Sequence, residues 1–182
     1  NGNRFFRIFL PNYISVKFFY YFTGFKIIQH YIFFSLYFLC CYLSDHARIF
    51  SIGTLNDEFL KAHEAMLTVQ QVAVEAGRAG VVTGELYELM VNKAASLGYE
   101  EYFMGTGDRK IRFTGHGLGL ELDEFPFIAK GQTLVLQEGM ALALEPKAIM
   151  PGKGVVGIEN TFVVTDKGLK SLAHYPENII VL

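Results

Sequence analysis

The composition of this chain changes abruptly near residue 43, and this break limits where a packed core can form. Sixteen of its 27 aromatic residues lie in the first 44 positions, together with four basic residues and no acidic one. These aromatic residues follow no period of 2 or 3.6, so they do not mark one face of a strand or helix for burial. We therefore expect the folded, functional part to span 43–182, and residues 1–42 to be a separate aromatic-rich segment.

Three interpretations of residues 1–42 are open. The first is that the segment is not native protein sequence. Amino acids with A- and T-rich codons dominate it, as they do in translated non-coding or frame-shifted DNA. The second is a membrane span, although Gln29 and His30 interrupt the uncharged run of 27–44 and Lys26 precedes it, so that the apolar run of about 20 residues that a span requires is not clean. Lys26 and the lack of a small-residue cleavage site also argue against a secretory signal. The third interpretation is a genuine extension, such as a pair of hydrophobic strands.

Size, charge and cysteine content narrow the class of protein. The 182 residues suffice for one domain with its own core. The net charge is −2, but residues 45–182 carry −6, which argues against a nucleic-acid partner. Cys40 and Cys41 are the only cysteines. The rest of the chain therefore has no disulfide framework, which predicts a reducing, cytoplasmic location.

After residue 43 the pattern predicts helices followed by strands. Apolar residues at helical spacing predict a helix that opens with a cap at Thr54–Asp57 and ends at Gly77. Thr83 is expected to cap a second helix that ends at Leu97. Strands are expected at 44–50, 111–122, 132–136, 140–145, 155–164 and 169–173. This order indicates an α+β fold with a mainly antiparallel sheet.

Four residues of the later part stand in contexts that suit metal ligands. They are a strand aspartate, a histidine between two glycines and two glutamates beside apolar runs: Asp45, His116, Glu145 and Glu159. A carboxylate among apolar strand residues is costly to bury unless it is paired, hydrogen-bonded or bound to metal. Three carboxylates and one imidazole suit a hard or borderline divalent ion, and bridging carboxylates suit a two-ion hydrolase.

Each of these residues also has an ordinary structural interpretation. A single glutamate at a strand end is most often a surface residue, and a lone histidine is more often a satisfied core residue. Gly115 and Gly117 weaken the second interpretation, because they allow close backbone approach around His116. Taken together, the four residues favour a metal site. The other histidines lack such a setting and are interpreted as incidental: His30, His46, His63 and His174.

Four segments resemble the pita-bread metallopeptidases, a family that includes methionyl aminopeptidase, aminopeptidase P, prolidase and creatinase. In family order they are 43–53 (LSDHARIFSIG), 113–126 (FTGHGLGLELDEFP), 138–146 (EGMALALEP) and 157–162 (GIENTF). The Leu-Glu-Pro and Ile-Glu-Asn contexts are more similar to the Xaa-Pro dipeptidase and aminopeptidase branch. The resemblance implies an incomplete pita-bread fold over 43–182, with a curved antiparallel sheet and helices on its outer face.

The resemblance also implies the chemistry of the site. In this family five ligands hold two divalent ions (Mn, Co, Zn or Fe), and four of the ligands match Asp45, His116, Glu145 and Glu159. Asp45 and Glu159 would bridge the ions, while His116 and Glu145 would bind the first ion. Glu145 would also help to move a proton as water attacks the peptide carbonyl. The implied partner is a short peptide substrate, and a homodimer is one option for the assembly.

Two positions depart from the family pattern. The first aspartate ligand is expected near Phe34, yet no acidic residue precedes Asp45. Seven residues after the metal histidine these peptidases usually have a histidine that contacts the substrate. This chain has Asp123, which accepts but does not donate hydrogen bonds when ionised. We therefore expect about one ion per chain and impaired hydrolysis. The alternatives are a non-catalytic peptide-binding homologue and a metal-free creatinase-like hydrolase, which the four retained ligands disfavour.

Overall fold

The structure, a computed structural model, describes residues 7–10, 14–20, 30–39, 42–172 and 175–182. In these ranges the chain forms two α-helices, two five-stranded sheets and a separate β-hairpin. Helices and mainly antiparallel strands are segregated along the chain, so the predicted α+β class is confirmed.

The first sheet combines the early strands with the end of the chain. Its members are β1 (Arg7–Leu10), β2 (Ile14–Tyr20), β3 (His30–Leu39), β4 (Tyr42–Ser51) and, beyond β4, the last strand β12 (Ile180–Val181). The pairs between β1 and β4 are antiparallel, whereas β12 runs parallel to β4. Asp45 lies on β4 of this sheet.

Two helices follow, α1 (Asp57–Ala76) and α2 (Thr83–Ser96). The face predicted for α1 is confirmed, because Phe59, Ala62, Met66, Val69 and Ala73 are all buried. The cap of α1 is Asn56, whose side chain accepts a hydrogen bond from the backbone N of Glu58. The prediction that Thr83 caps α2 is wrong. Val82 occupies the cap without a side-chain bond, and Thr83 is the first, fully buried helical residue.

The second sheet is wholly antiparallel and carries the later motifs. It contains β5 (Phe113–Gly117), β6 (Glu124–Ala129), β7 (Ala141–Leu144), β10 (Asn160–Val164) and β11 (Leu169–Ser171), in the order β11-β10-β7-β5-β6. Between β7 and β10 lies the hairpin of β8 (Lys147–Met150) and β9 (Gly154–Gly157).

Three of the expected strands differ from those observed. The strand expected at 132–136 is not formed, and Val135 makes only an isolated bridge to Val82. The strand expected at 111–122 ends at Gly117, because the chain turns there to form β6. The strand expected at 155–164 is divided into β9 and β10 at residues 158–159. Hydrophobic alternation continues through both turns, which is why the pattern alone did not reveal them.

The apolar core lies between the helices and the two sheets. Its largest fully buried side chains include Met66 of α1, Met90 of α2, and Ile128, Leu142 and Leu144 of the second sheet. The two sheets join where the backbone N of Ala47 donates to the carbonyl of Glu159 (3.2 Å), and the backbone N of Leu43 donates to the carbonyl of Gly119 (2.8 Å). None of the helices in the described residues combines the length and the apolar character needed to cross a membrane.

The boundary expected after residue 42 falls one residue inside β4, which begins at Tyr42 and is paired with β3. β3 pairs with β4 from His30 opposite Ser51 to Leu39 opposite Tyr42. Because residues 43–182 contain an apolar core that packs both helices against the second sheet, a chain starting at residue 43 is still expected to be soluble and to unfold cooperatively. Thermal unfolding of the full chain and of residues 43–182 tests this. Loss of the cooperative transition in the shorter chain would assign β1–β3 to the folded domain.

Candidate metal centre

Asp45 is held at the junction of the two sheets. Its backbone N donates to the Thr161 hydroxyl (2.9 Å), and that hydroxyl donates to the Asp45 carbonyl (2.9 Å). Thr161 lies on β10, two residues after Glu159. This pair of bonds, with the bridge between Ala47 and Glu159, fixes β4 against the start of β10. The side chain of Asp45 is buried as a result.

His116 occupies the middle of a tightly packed strand. A Cβ atom at Gly115 would lie 2.5 Å from the carbonyl oxygen of Ala143, and one at Gly117 would lie 2.4 Å from that of Phe125. Neither approach is compatible with a side chain, so the predicted role of the two flanking glycines is confirmed. They allow β5 to fit between β6 and β7 with His116 buried.

The ring of His116 has a defined protonation pattern. Nδ1 lies 3.0 Å from the carbonyl oxygen of Gly117. A carbonyl oxygen only accepts, so Nδ1 carries a hydrogen, and Nε2 is the ring nitrogen that faces the carboxylates. Nε2 lies 3.9 Å from Oε1 of Glu159 and 3.2 Å from Oδ1 of Asp123. This orientation, with the remote nitrogen fixed by a backbone acceptor, is typical of metal-binding histidines.

Each of the two glutamates lies next to the end of a strand in the second sheet. Glu145 comes directly after β7, and its backbone N donates to the carbonyl of Thr114 on β5 (3.0 Å). Glu159 comes directly before β10, and the preceding Ile158 donates its backbone N to the carbonyl of Pro146 (3.3 Å). The segments that carry the glutamates are therefore fastened to each other and to the strand of His116. Both side chains are buried.

Three of the four predicted ligands converge on one point. Potential ligand atoms of Asp45, His116 and Glu159 all lie within 4.8 Å of one another. Glu145 is outside this group. Its Oε2 accepts a hydrogen bond from Nζ of Lys147, and it lines a pocket together with Lys147, Ala47 and Glu159. Its charge nevertheless reaches the group, because it raises the pKa values of both Asp45 and Glu159.

The electrostatics of the group favour a bound cation. Burial raises the pKa of Asp45, and the charge of His116 opposes that rise. Burial raises the pKa of Glu159 well above its usual range, and the charges of Asp45 and Glu145 raise it further. Buried carboxylates this close repel each other when ionised, and a divalent cation would relieve that repulsion. The oxygen-rich donor set, together with Nε2 of His116, therefore fits a divalent ion.

Asp123 lies at the open side of this centre. Its side chain is 57% exposed, while that of His116, 3.2 Å away, is only 3% exposed. Asp123 also raises the pKa of Asp45 slightly, as the last of several causes. Asp123 therefore stands between solvent and the buried side chain of His116.

Several residues around the centre were not predicted from the sequence. Lys147 stands two positions after Glu145, a spacing that places both on one side of an extended chain. Arg48, Asn160 and Gln70 are buried behind the ligands and hydrogen-bonded to their neighbours. Arg48 and Asn160 could have been found as polar residues adjacent to Asp45 and Glu159, whereas Gln70 carried no sequence signal.

The remaining histidines that the structure describes are not members of the group of Asp45, His116 and Glu159. His63 is buried on α1 and its Nε2 contacts the carbonyl of Glu177 (2.7 Å), and His46 contacts the hydroxyl of Ser44 (2.8 Å). Burial lowers the pKa of both rings, that of His46 to about 4. The side chain of His30, and His174 as a whole, are outside the described residues.

Comparison with known proteins agrees with this arrangement. The model of metallopeptidase family M24 matches residues 29–166. The Xaa-Pro dipeptidase of Lactobacillus delbrueckii subsp. lactis is 36% identical over 141 residues, which cover 78% of this chain and 36% of that protein. The chain thus spans little more than a third of this relative's length. The family match also begins upstream of residue 43, within the segment expected to lie outside the family.

Solved structures show the same fold. The X-Pro aminopeptidase from Thermotoga maritima MSB8 has a TM-score of 0.78 at 28% identity, over 85% of this chain and 41% of that one. The methionine aminopeptidase from Rickettsia prowazekii has a TM-score of 0.62 at 20% identity, over 80% of this chain and 64% of that one, which is a likeness of fold alone. The expected pita-bread fold, present in part, is confirmed.

Proposed function

The chain belongs to metallopeptidase family M24, and from this premise we propose that it carries the catalytic centre of an Xaa-Pro dipeptidase or aminopeptidase. The substrate is a short peptide, cut at a bond near its N-terminus. The observation that carries the proposal is the buried group of Asp45, His116 and Glu159, whose ligand atoms lie within 4.8 Å of one another. When bound there, a divalent ion supplies a Lewis acid that activates water and polarises the peptide carbonyl.

The residues of the chain have distinct proposed roles. His116 presents Nε2 as a neutral ligand, because its other nitrogen donates to the carbonyl of Gly117. Asp45 and Glu159 would hold the ion and could be shared with a second one, and Glu145 would be a further ligand that also accepts the proton from water. Lys147 holds that carboxylate through its ammonium group. When Lys147 releases it, the carboxylate of Glu145 becomes available to bind the ion or to accept a proton.

Asp123 is proposed to contact the substrate. It is the exposed acid nearest to Nε2 of His116, so a peptide that reaches the ligands passes it. An ionised carboxylate attracts cationic groups and accepts hydrogen bonds. Asp123 therefore favours the ammonium or amide N–H groups of a peptide over its carboxylate.

The number of ions follows from the acids available. Position 34, where the family pattern places its first aspartate, is a phenylalanine and pairs with Ala47 across β3 and β4. A second ion would keep only the bridging carboxylates of Asp45 and Glu159, which are too few to hold a labile ion such as Mn²⁺ tightly. We propose one tightly held ion from the series Mn, Co, Zn or Fe.

Metal analysis and peptide hydrolysis test the proposed function. Purified protein is expected to hold about one divalent ion per chain and to cleave Xaa-Pro dipeptides weakly, with chelation abolishing the cleavage. The four ligands retained support a residual activity, whereas Phe34 supports the non-catalytic alternative. Peptide binding with no metal-dependent cleavage would establish that alternative. Two tightly bound ions with robust cleavage would contradict the proposed impairment.

The wider setting of the protein is also proposed. We infer a cytoplasmic peptidase, since the only two cysteines are adjacent and the residues after them contain none. The acidic balance of residues 45–182 supports peptide and not nucleic acid as the partner.

A further inference from the structure

One buried amide on α1 connects the two segments that carry Glu145 and Glu159. Gln70 is 3% exposed and lies on the apolar face of α1, near Met66, Val69 and Ala73. A polar side chain in such a position is costly unless its polar atoms find partners. Nε2 of Gln70 donates to the carbonyl oxygen of Leu144 (2.8 Å), and its Oε1 accepts from Nδ2 of Asn160 (2.8 Å).

The two partners of Gln70 are the chain neighbours of the two glutamates. Leu144 immediately precedes Glu145, and Asn160 immediately follows Glu159. Leu144 and Asn160 also face each other in the register of β7 and β10, at the end of the ladder where both glutamates leave it. Gln70 therefore holds the backbone of Leu144 and the side chain of Asn160. It does this at the point where the hydrogen-bonded ladder of β7 and β10 ends.

A second set of bonds extends this connection to the strand of Asp45. Arg48, three residues after Asp45 on β4, donates to Oδ1 of Asn160 (2.6 Å) and to the carbonyl of Glu159 (2.9 Å). The remaining hydrogen of the Asn160 amide goes to Oε1 of Glu177 (2.9 Å). Asn160 thus has partners for its oxygen and for both amide hydrogens, and its orientation is fixed.

We propose that Gln70 is a positioning residue, which sets the separation and orientation of Glu145 and Glu159 through Leu144 and Asn160. The role requires an amide of this length, because one end must donate to a carbonyl and the other must accept from Asn160. A methionine has similar length and volume but can make neither bond. This inference rests on the proposed metal site, since its consequence is the affinity of that site for an ion.

The test compares Gln70→Met with the matched control Gln71→Met. Gln71 is the next residue on α1, is exposed, and bonds only to Glu75 among the described contacts. Titration with Mn²⁺ should give an affinity about 10–100-fold lower for Gln70→Met, the usual effect of removing a residue that supports a metal ligand. Gln71→Met should match the wild type. Gln70→Asn, whose amide is one methylene too short to reach both partners, should lose affinity in the same way if Gln70→Met does not fold.

A second measurement needs no metal and separates this inference from the proposed function. In metal-free protein, amide hydrogen exchange in 141–147 and 156–162 should be faster in Gln70→Met and unchanged in Gln71→Met. Unchanged exchange, or faster exchange with an unchanged Mn²⁺ affinity, would overturn the inference, because Gln70 would then be only a packing residue. If the wild type binds no Mn²⁺, the proposed function fails, and the exchange data alone decide whether Gln70 fixes the two segments.

Discussion

Replacing Glu159 by glutamine is expected to abolish tight metal binding and to make the metal-free protein more stable. Glu159 is 3% exposed and shares its buried surroundings with Asp45 and Glu145, so its negative charge is repelled in the absence of a cation. Glutamine keeps the shape and removes the charge. We expect the free energy of unfolding of the metal-free variant to be about 1–2 kcal/mol higher than that of the wild type. Gains of this size are common when a destabilised functional residue is replaced.

The loss of metal binding should be larger than any effect of a residue that only supports a ligand. Such residues change affinity by roughly 10–100-fold, and removal of a buried ligand should exceed that range. Calorimetric titration with Mn²⁺ measures the affinity, and thermal unfolding with and without the ion measures the linked stability. Glu64→Gln, at an exposed position of α1, is the matched control and should change neither quantity. A Glu159→Gln protein that binds Mn²⁺ as the wild type does would remove Glu159 from the site.

Introducing an aspartate in place of Phe34 is expected to add a second ion and to raise peptidase activity. Positions 34 and 36 of β3 pair with Ala47 and Asp45 of β4, so an acid at position 34 lies diagonally across from Asp45. Ala47 lines the pocket shared by Glu145 and Glu159. The metal content should rise from about one to about two ions per chain. Hydrolysis of Xaa-Pro dipeptides should rise on the order of 100-fold, comparable with the addition of one electrostatic stabiliser of the transition state.

The substitution Tyr31→Asp is the matched control for this variant. Position 31 pairs with Phe50, and because alternate residues of a strand share a face, positions 31 and 34 lie on opposite faces of the sheet. This variant introduces the same charge and also removes an aromatic ring, but it should leave metal content and activity unchanged. If Phe34→Asp binds only one ion, as the control does, the missing acid does not limit the second site. Impairment would then have another cause, such as Asp123.

Local pattern was sufficient for the helices and for three residues that the structure brings together, Asp45, His116 and Glu159. The apolar spacing of α1 predicted its buried face, because burial on one side of a helix imposes that spacing directly on the sequence. The glycines around His116 likewise reflect a close approach that no side chain would allow. The resemblance of four short motifs to the pita-bread metallopeptidases gave the fold, because those motifs surround the residues that the site requires.

Other features depended on contacts between residues far apart in the chain. The turns after Gly117 and before β10 were missed, since apolar alternation runs through them and only pairing with other strands shows where a strand ends. Thr83 lies at the start of α2 but does not cap it, because its side chain is fully buried. Likewise, local pattern did not distinguish Glu145 from Glu159, whereas the structure groups Glu159 with Asp45 and His116 and pairs Glu145 with Lys147.

The sequence by itself therefore determined the helical faces, the α+β class and the set of acidic and imidazole groups available to a metal. These properties depend on residue type and short spacing. The tertiary structure decided which of those groups meet, because the junction of the two sheets at Ala47 and Glu159 brings together residues separated by more than a hundred positions. It also revealed Gln70, whose polarity on an apolar helix face is accounted for only by the partners it finds in β7 and β10.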